Sequence, residues 1–290
     1  MRFSNVIAAS FLNLFISSSY HITGKDCVKN KYLDYNVHKE TNVMDTKEIR
    51  ELLQKVREIG EPLKQDKELQ VQSKNGIQDL VTDMDKNTEK KLREVLQTFT
   101  PGCTFIGEEG NQVISDSMWI IDPIDGTTNF INAQEGYAIC LAYVKDKQPI
   151  LGIVYDVAED TMYWAYKGKG AFINNEKVEK ELPKRPLSQC VWEASLNTLL
   201  VFPKLIDLFQ QTRGHRSRGC CSLSVISTAL GKTDFYLTEQ AKCWDYAAAD
   251  VFLKECQGIS WCKKDYFSCE PNLYIAAHTQ EVIETIKEYL

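Results

Sequence analysis

The chain has 290 residues, 43% hydrophobic and 26% charged, with 40 acidic against 34 basic residues and a net charge of −6. This is the composition of a folded protein, long enough for one large domain or two lobes sharing a core. The acidic balance argues against a broad nucleic-acid surface, which needs excess Lys and Arg, but allows a small anionic substrate if a metal supplies positive charge. The ten cysteines form no C-x-x-C pair. Several, such as Cys140 and Cys190, sit inside apolar runs and read as buried free thiols of a reducing compartment.

Residues 1–43 differ from the rest. Arg2 precedes an apolar stretch, Val6 to Ile16, broken by Ser10 and Asn13. The stretch has features of a weak signal peptide and is too short to span a bilayer. Residues 1–43 read as an N-terminal extension, and the expected location is cytoplasmic, without membrane association, unless they act as a leader. From Asp45 to about Lys67, Ile49, Leu52, Leu53, Val56, Ile59 and Leu63 recur at helical spacing, with Pro62 ending or kinking the helix. A second helix is predicted from about Asn87, as its cap, to Phe99, stopped by Pro101-Gly102.

Strands follow. Cys103 to Ile106 leads into Gly107-Glu108-Glu109-Gly110, and Ser117 to Ile121 leads into Asp122-Pro123-Ile124-Asp125-Gly126-Thr127. Tyr137–Val144, Ile150–Tyr155 and Thr161–Tyr166 form a meander with turns at Asp146-Lys147 and Glu159-Asp160. A charge-rich run, Glu176 to Arg185, ends at Pro186 and divides a lobe of residues 44–185 from one of 186–290. The second lobe reads as a strand at Val191–Leu196, helices at Phe202–Gln211 and Ser222–Leu230, and a strand at Asp234–Leu237. A helix at Asp245–Cys256, a strand at Asn272–Ala277 and a helix at Thr279–Leu290 complete it. Strands and helices come in blocks, which favours a layered α+β fold.

Asp122 and Asp125 stand three apart where a buried strand ends. Pro123 stiffens the turn and restricts its neighbour, and Gly126 permits positive φ or close approach. Carboxylates crowded there are costly unless cations compensate, and a stiff oxygen-rich turn suits hard cations. Several covalent-nucleophile constellations are absent from the residues. No Cys has Arg six residues on, and Arg213-Gly214-His215-Arg216 is out of order for a histidine nucleophile. Asp83-Met84-Asp85-Lys86-Asn87 lacks the Thr or Val an aspartyl-phosphate enzyme wants. As an EF-hand it has Thr88 where Gly belongs, and helical spacing continues through it.

Gly107-Glu108-Glu109, Asp122-Pro-Ile-Asp-Gly-Thr127, Trp244-Asp245-Tyr246-Ala247-Ala248 and the segment Asp79-Leu80-Val81-Thr82-Asp83-Met84-Asp85 together resemble, in order and spacing, the signature of the inositol monophosphatase family. The similarity covers about Met44 to Leu290. It implies a layered αβαβα sandwich of the inositol monophosphatase/fructose-1,6-bisphosphatase type and a lithium-sensitive, Mg2+-dependent phosphomonoesterase that is often a homodimer. It further implies that Glu108, Asp122 and the carbonyl of Ile124 hold one Mg2+, that Asp122 bridges to a second held by Asp125 and Asp245, and that a third ion shares Glu108. Two such metals, about 3.5–4 Å apart, clamp the attacking and leaving oxygens. Thr127 and Asp85 would orient the attacking water, the amides of Gly126 and Thr127 would contact phosphate, and Lys74 aligns with a family lysine near the metals.

Arg216-Ser217-Arg218-Gly219 resembles a segment near the substrate pocket, with Arg216 as the expected contact. Inositol-specific relatives commonly carry a Glu seven residues before the Trp-Asp aspartate; here Thr238 stands there and Glu239 follows. A one-residue shift along a strand reverses side-chain direction. The substrate implied is a small phosphorylated polyol or sugar, such as inositol 1-phosphate. Fructose 1,6-bisphosphate or nucleotide phosphates (NADP, phosphoadenosine) are the alternatives, and a non-catalytic binding protein on the same fold is the reading from another class.

Overall fold

A computed structural model describes the backbone of residues 44–64, 71–76, 79–179 and 181–290 and, except at 71, 73–76 and 79–82, their side chains. The predicted extension, residues 1–43, and the side chains of Lys74 and Asp79 fall outside these. Residues 43–290 form one compact unit.

The chain opens with α1 (Thr46–Gly60), a 3-10 turn at Glu61–Lys64, β1 (Val71–Gly76), β2 (Asp79–Thr82) and α2 (Asp83–Phe99). Asp45 caps α1: its carboxylate accepts from the amides of Lys47 and Glu48, and Glu48 accepts in return from the Asp45 amide, a capping box. The 3-10 turn takes over where Pro62 excludes an α-helical amide. α2 starts four residues before the predicted cap Asn87, which therefore lies inside the helix; Asp83 and Asp85 occupy its first turn, where negative charge suits the helix dipole.

A seven-stranded sheet follows: β3 (Thr104–Gly107), β4 (Met118–Asp125), β5 (Ala138–Lys145), β6 (Gln148–Asp156), β7 (Thr161–Tyr166), β8 (Gly170–Ile173) and β9 (Glu176–Lys177), paired in that order, with α3 (Thr127–Asn132) between β4 and β5. β3 and β4 are parallel and the other pairs antiparallel. The second sheet runs in the order β11-β10-β12-β14-β13, from β10 (Val191–Ala194), β11 (Gly214–Arg216), β12 (Phe235–Ala241), β13 (Ile259–Cys262) and β14 (Asn272–Ala277). Pro186 lies in the chain between the last strand of the first sheet and the first strand of the second. The remaining helices are α4 (Leu196–Val201), α5 (Leu208–Gln211), α6 (Cys221–Ala229), α7 (Cys243–Glu255) and α8 (Gln280–Lys287). The helix expected at Phe202–Gln211 is a 3-10 turn, Pro203–Asp207, followed by the four residues of α5, and α4 occupies a stretch where no helix was predicted.

Side-chain alternation sorts these elements into five layers. On the seven-stranded sheet, Trp119, Ile121, Ile139, Leu141 and Ile153 pack with α1 and α2, while Ile120, Cys140, Ala142 and Val154 pack with α6 and α7. On the second sheet, Tyr236, Tyr274 and Ala276 face α6 and α7; Phe235, Leu237 and Ile275 face the outer layer with Leu199 and Ile283. The result is the αβαβα sandwich. The nine described cysteines are unpaired. Between the sheets the segment before Pro186 is pinned: His278 has Nδ1 3.0 Å from the Pro183 carbonyl and Nε2 2.9 Å from that of Thr228, and Arg185 donates to Asp234.

The approach of α7 to the seven-stranded sheet depends on Gly152 in β6. A Cβ there would lie 2.1 Å from the Ala248 carbonyl oxygen, a backbone atom that cannot rotate away. Gly152→Ala is expected to destabilise by about 1–3 kcal/mol, the scale of core overpacking, seen as a lower urea midpoint. An unchanged midpoint would mean that α7 sits farther from the sheet.

Candidate active site

The site begins where β4 ends. Asp122, Ile124 and Asp125 close the strand, and its register against β5 breaks between Asp122 and Asp125, where Pro123 offers no amide to the ladder. Gly126 follows at φ 89°, and a Cβ there would meet the Gly136 carbonyl at 3.1 Å and Cys220 Cβ at 3.2 Å, so only glycine fits. Thr127 opens α3, with Oγ1 donating to the Ile124 carbonyl at 3.0 Å. Asn129 Nδ2 donates to the carbonyls of Gly136 and Arg218, tying α3 to the loop before α6.

Four carboxylates from three segments, the loop after β3, the end of β4 and the start of α7, reach one cavity of about 350 Å3: Glu108, Asp122, Asp125 and Asp245. Asp122 is 2% exposed, and its Oδ1 accepts from the Ile124 amide. Burial pushes its pKa well above the usual carboxylate range, and the charges of Glu108, Asp125 and Asp245 push it further. Asp125 is raised by burial, against the opposing pull of the Ser222 hydroxyl, the Cys220 thiol (3.0 Å) and the amides of Ser222 (2.6 Å) and Cys221 (3.1 Å). Those amides open α6, so that helix's dipole also favours the carboxylate. Asp245 is raised well above the usual range by burial and by Asp125 and Glu108, while the Lys242 amide, donating to Oδ2 at 2.8 Å, works the other way. Asp245 therefore ties down the first turn of α7, which begins at Cys243, two residues earlier than predicted, on a side chain that also lines the cavity.

Glu108 is placed by a clamp the motifs did not reveal. Buried Glu89 of α2 accepts from Arg93 and from the Glu109 amide (2.7 Å), and Arg93 donates to the Asn111 carbonyl. Gly107 and Gly110 let this pair lie against the loop, since a Cβ at either would strike Glu89 and Arg93 within 2.6 Å. The glycines flanking Glu108-Glu109 were the available signal. Asp85 is buried at the start of α2.

The opposite wall is uncharged and polar, with Ser195, Asn197, Thr238 and Gln240, beside one ion pair, Glu193 with Arg218. Glu193 is 1% exposed; it accepts from Ser224 at 2.7 Å and from Arg218 Nε and Nη2 at 3.4 Å. Arg218 lines the cavity, whereas the expected contact, Arg216, is exposed and donates to the His215 carbonyl. Thr238 lines it too, but Glu239 does not. Along β12 Tyr236, Thr238 and Gln240 face the cavity, and Glu239 turns to the outer layer and accepts from Thr198. Period-two alternation decides this against a one-residue substitution for the family glutamate.

Among the described residues no three His, Cys, Asp or Glu side chains are gathered closely enough to enclose an ion by themselves. The donor set nevertheless fits Mg2+. It is all oxygen, its buried charges repel one another, and the cavity has room for the waters that Mg2+ retains.

Comparison with known proteins agrees with this architecture. The model of the inositol monophosphatase family matches residues 40–289. An inositol-1-monophosphatase of Bacillus subtilis is 33% identical over 84% of this chain and 97% of its own. A fructose-1,6-bisphosphatase/inositol-1-monophosphatase of Thermotoga maritima is 33% identical over 65% of this chain and 73% of its own. Among solved structures, a staphylococcal IMPase-I complexed with products superposes with TM-score 0.75 at 28% identity, covering 84% of this chain and 96% of that one. An IMPase/NADP phosphatase complexed with Mg2+ and phosphate gives the same score and identity over 84% and 94%. The chain belongs to the inositol monophosphatase family and is a hydrolase of phosphoric monoesters.

Burial and neighbouring charge make ionised Asp122 a cost to the metal-free fold. That cost is present above the ordinary carboxylate pKa and disappears as pH falls and the group protonates. Asp122→Asn is therefore expected to raise the stability of chelator-treated protein at neutral pH by about 1 kcal/mol or more, with the gain vanishing in acid. Thermal melts in chelator across pH measure this. A lower melting temperature at neutral pH would contradict the electrostatic account.

Proposed function

We propose that this enzyme is a Mg2+-dependent phosphomonoesterase acting on the phosphate ester of a small uncharged polyol, of the inositol 1-phosphate kind. The observation that carries this reading is a single cavity in which converging carboxylates face a wall of hydroxyl and amide groups. Glu108, Asp122 and the Ile124 carbonyl would hold one Mg2+; Asp122, Asp125 and Asp245 a second; a third would share Glu108. Bound there, the ions would activate water and offset charge on the leaving oxygen.

The chain's own groups supply the rest. The amides of Gly126 and Thr127 bind phosphate oxygens. Thr127 gives its hydroxyl proton to the Ile124 carbonyl, so its free lone pair accepts from the attacking water and orients it. Asp85, buried at the start of α2, would join Thr127 in orienting the attacking water, and Lys74 would lie near the metals, as the resemblance implies. Thr238 and Gln240 meet the hydroxyls of the alcohol. Glu193 neutralises Arg218, so the wall offers little to a second phosphate, and fructose 1,6-bisphosphate and NADP are expected to be poorer substrates. Exposed Leu196, Leu200, Val201 and Ile206 support a homodimer face. A cytoplasmic location is proposed; no described helix is long and apolar enough to cross a membrane.

Phosphate release from inositol 1-phosphate, glycerol 2-phosphate, fructose 1,6-bisphosphate and NADP, with and without Mg2+, tests the proposal. Turnover should require Mg2+ and be most efficient on the neutral polyol esters. Asp245→Asn should lower kcat/KM by more than the about 10–100-fold that outer-layer changes around a metal cost. Absence of turnover across the panel would favour a binding protein.

A further inference from the structure

The proposed chemistry leaves Glu239, a half-buried acid of β12, unused. Glu239 points away from the cavity, and its Oε1 is buried without a hydrogen-bond partner among the described residues. Its Oε2 accepts from Thr198 Oγ1 at 2.5 Å. Thr198 is fully buried in α4 and its Oγ1 lies 2.9 Å from Ser195 Oγ, a cavity-lining atom that also accepts from the Thr198 amide at 3.1 Å. A continuous chain of three side chains thus joins an acid outside the site to a hydroxyl inside it.

Proton bookkeeping fixes the direction of this chain. A hydroxyl has one proton and two lone pairs, and a carboxylate only accepts. Thr198 donates to Glu239, so between the two hydroxyls it must be the acceptor, and Ser195 must be the donor. The Ser195 proton is then committed inward and one of its lone pairs is taken by the Thr198 amide. What remains for the cavity is a single acceptor.

We propose that Glu239, acting through Thr198, holds Ser195 as an obligate acceptor, so that Ser195 reads a hydroxyl donor on the leaving alcohol. This rests on the polyol phosphatase reading and refines it: Glu239 and Thr198 are positioning residues, and an alcohol with fluorine or an ether oxygen at that place is discriminated against. The discrimination arises because a site built to pair with a hydroxyl leaves a polar group unpaired when it is missing.

The test compares inositol 1-phosphate with p-nitrophenyl phosphate, whose leaving group has no further hydroxyl, in Thr198→Val and Thr198→Ser. Thr198→Val releases the Ser195 proton. It should raise KM for inositol 1-phosphate about tenfold, the equivalent of one hydrogen bond, leave kcat within about twofold, and leave both constants for p-nitrophenyl phosphate unchanged. Thr198→Ser should restore the wild-type KM, and Glu239→Leu should reproduce the valine effect without loss of thermal stability. An unchanged KM for inositol 1-phosphate in both Thr198→Val and Glu239→Leu would overturn the relay. So would equal losses on both esters, which would mark a structural role. If the wild type hydrolyses neither ester, the phosphatase reading itself fails and takes the relay with it.

Discussion

The mutual repulsion of buried carboxylates at the end of β4 is the constraint around which the rest of this structure is arranged. Asp122 sits almost out of water, with the charges of Glu108, Asp125 and Asp245 close enough to raise its pKa together. A fold does not bring four acids to one cavity without recompense, because each buried unpaired charge costs several kcal/mol. Cations entering such a cavity would relieve the repulsion, so the cost of the buried charges would become affinity for the proposed metal.

Each acid is held by an element that also belongs to the core. Asp125 caps the start of α6 through two amides, Asp245 ties down the start of α7 by accepting from the Lys242 amide, and Glu108 rides on a loop clamped by Glu89 and Arg93. The helices concerned are the middle layer between the two sheets and, for α2, the outer layer over β4. Packing therefore sets the positions of the carboxylates, and Gly126 and Gly152 are glycine because backbone approaches where a side chain would not fit. On the far side of the cavity, the hydroxyl and amide wall and the internally neutralised Glu193–Arg218 pair shape the demand on the alcohol.

Much of this was readable in the sequence, and the failures have physical causes. β14 was predicted at its observed bounds because Asn272–Ala277 is an unbroken buried run, and α1 followed from its apolar period and Asp45. Asp122, Ile124, Asp125, Gly126 and Thr127 were singled out because a proline and a glycine fix the turn that carries them. Helix α4 was not foreseen because its first residue, Leu196, was read as the end of the preceding strand and its six residues are too few to establish a period. Asn87 was misread as a cap because Asp83 and Asp85 in the first turn looked like part of a loop. Arg216 was favoured over Arg218, two positions on, because nothing local to the sequence says which of two neighbouring arginines turns inward. Glu239 illustrates the same limit: its direction is set by the register of β12 against β14 and by a partner, Thr198, 41 positions earlier.

The most direct test of the central claim is where cations sit in crystals of the protein soaked in Mn2+, located by anomalous scattering. Two peaks flanking Asp122, one toward Glu108 and the Ile124 carbonyl and one toward Asp125 and Asp245, are the result this account predicts. A cavity without ions at saturating Mn2+, or ions bound without Asp122, would contradict it.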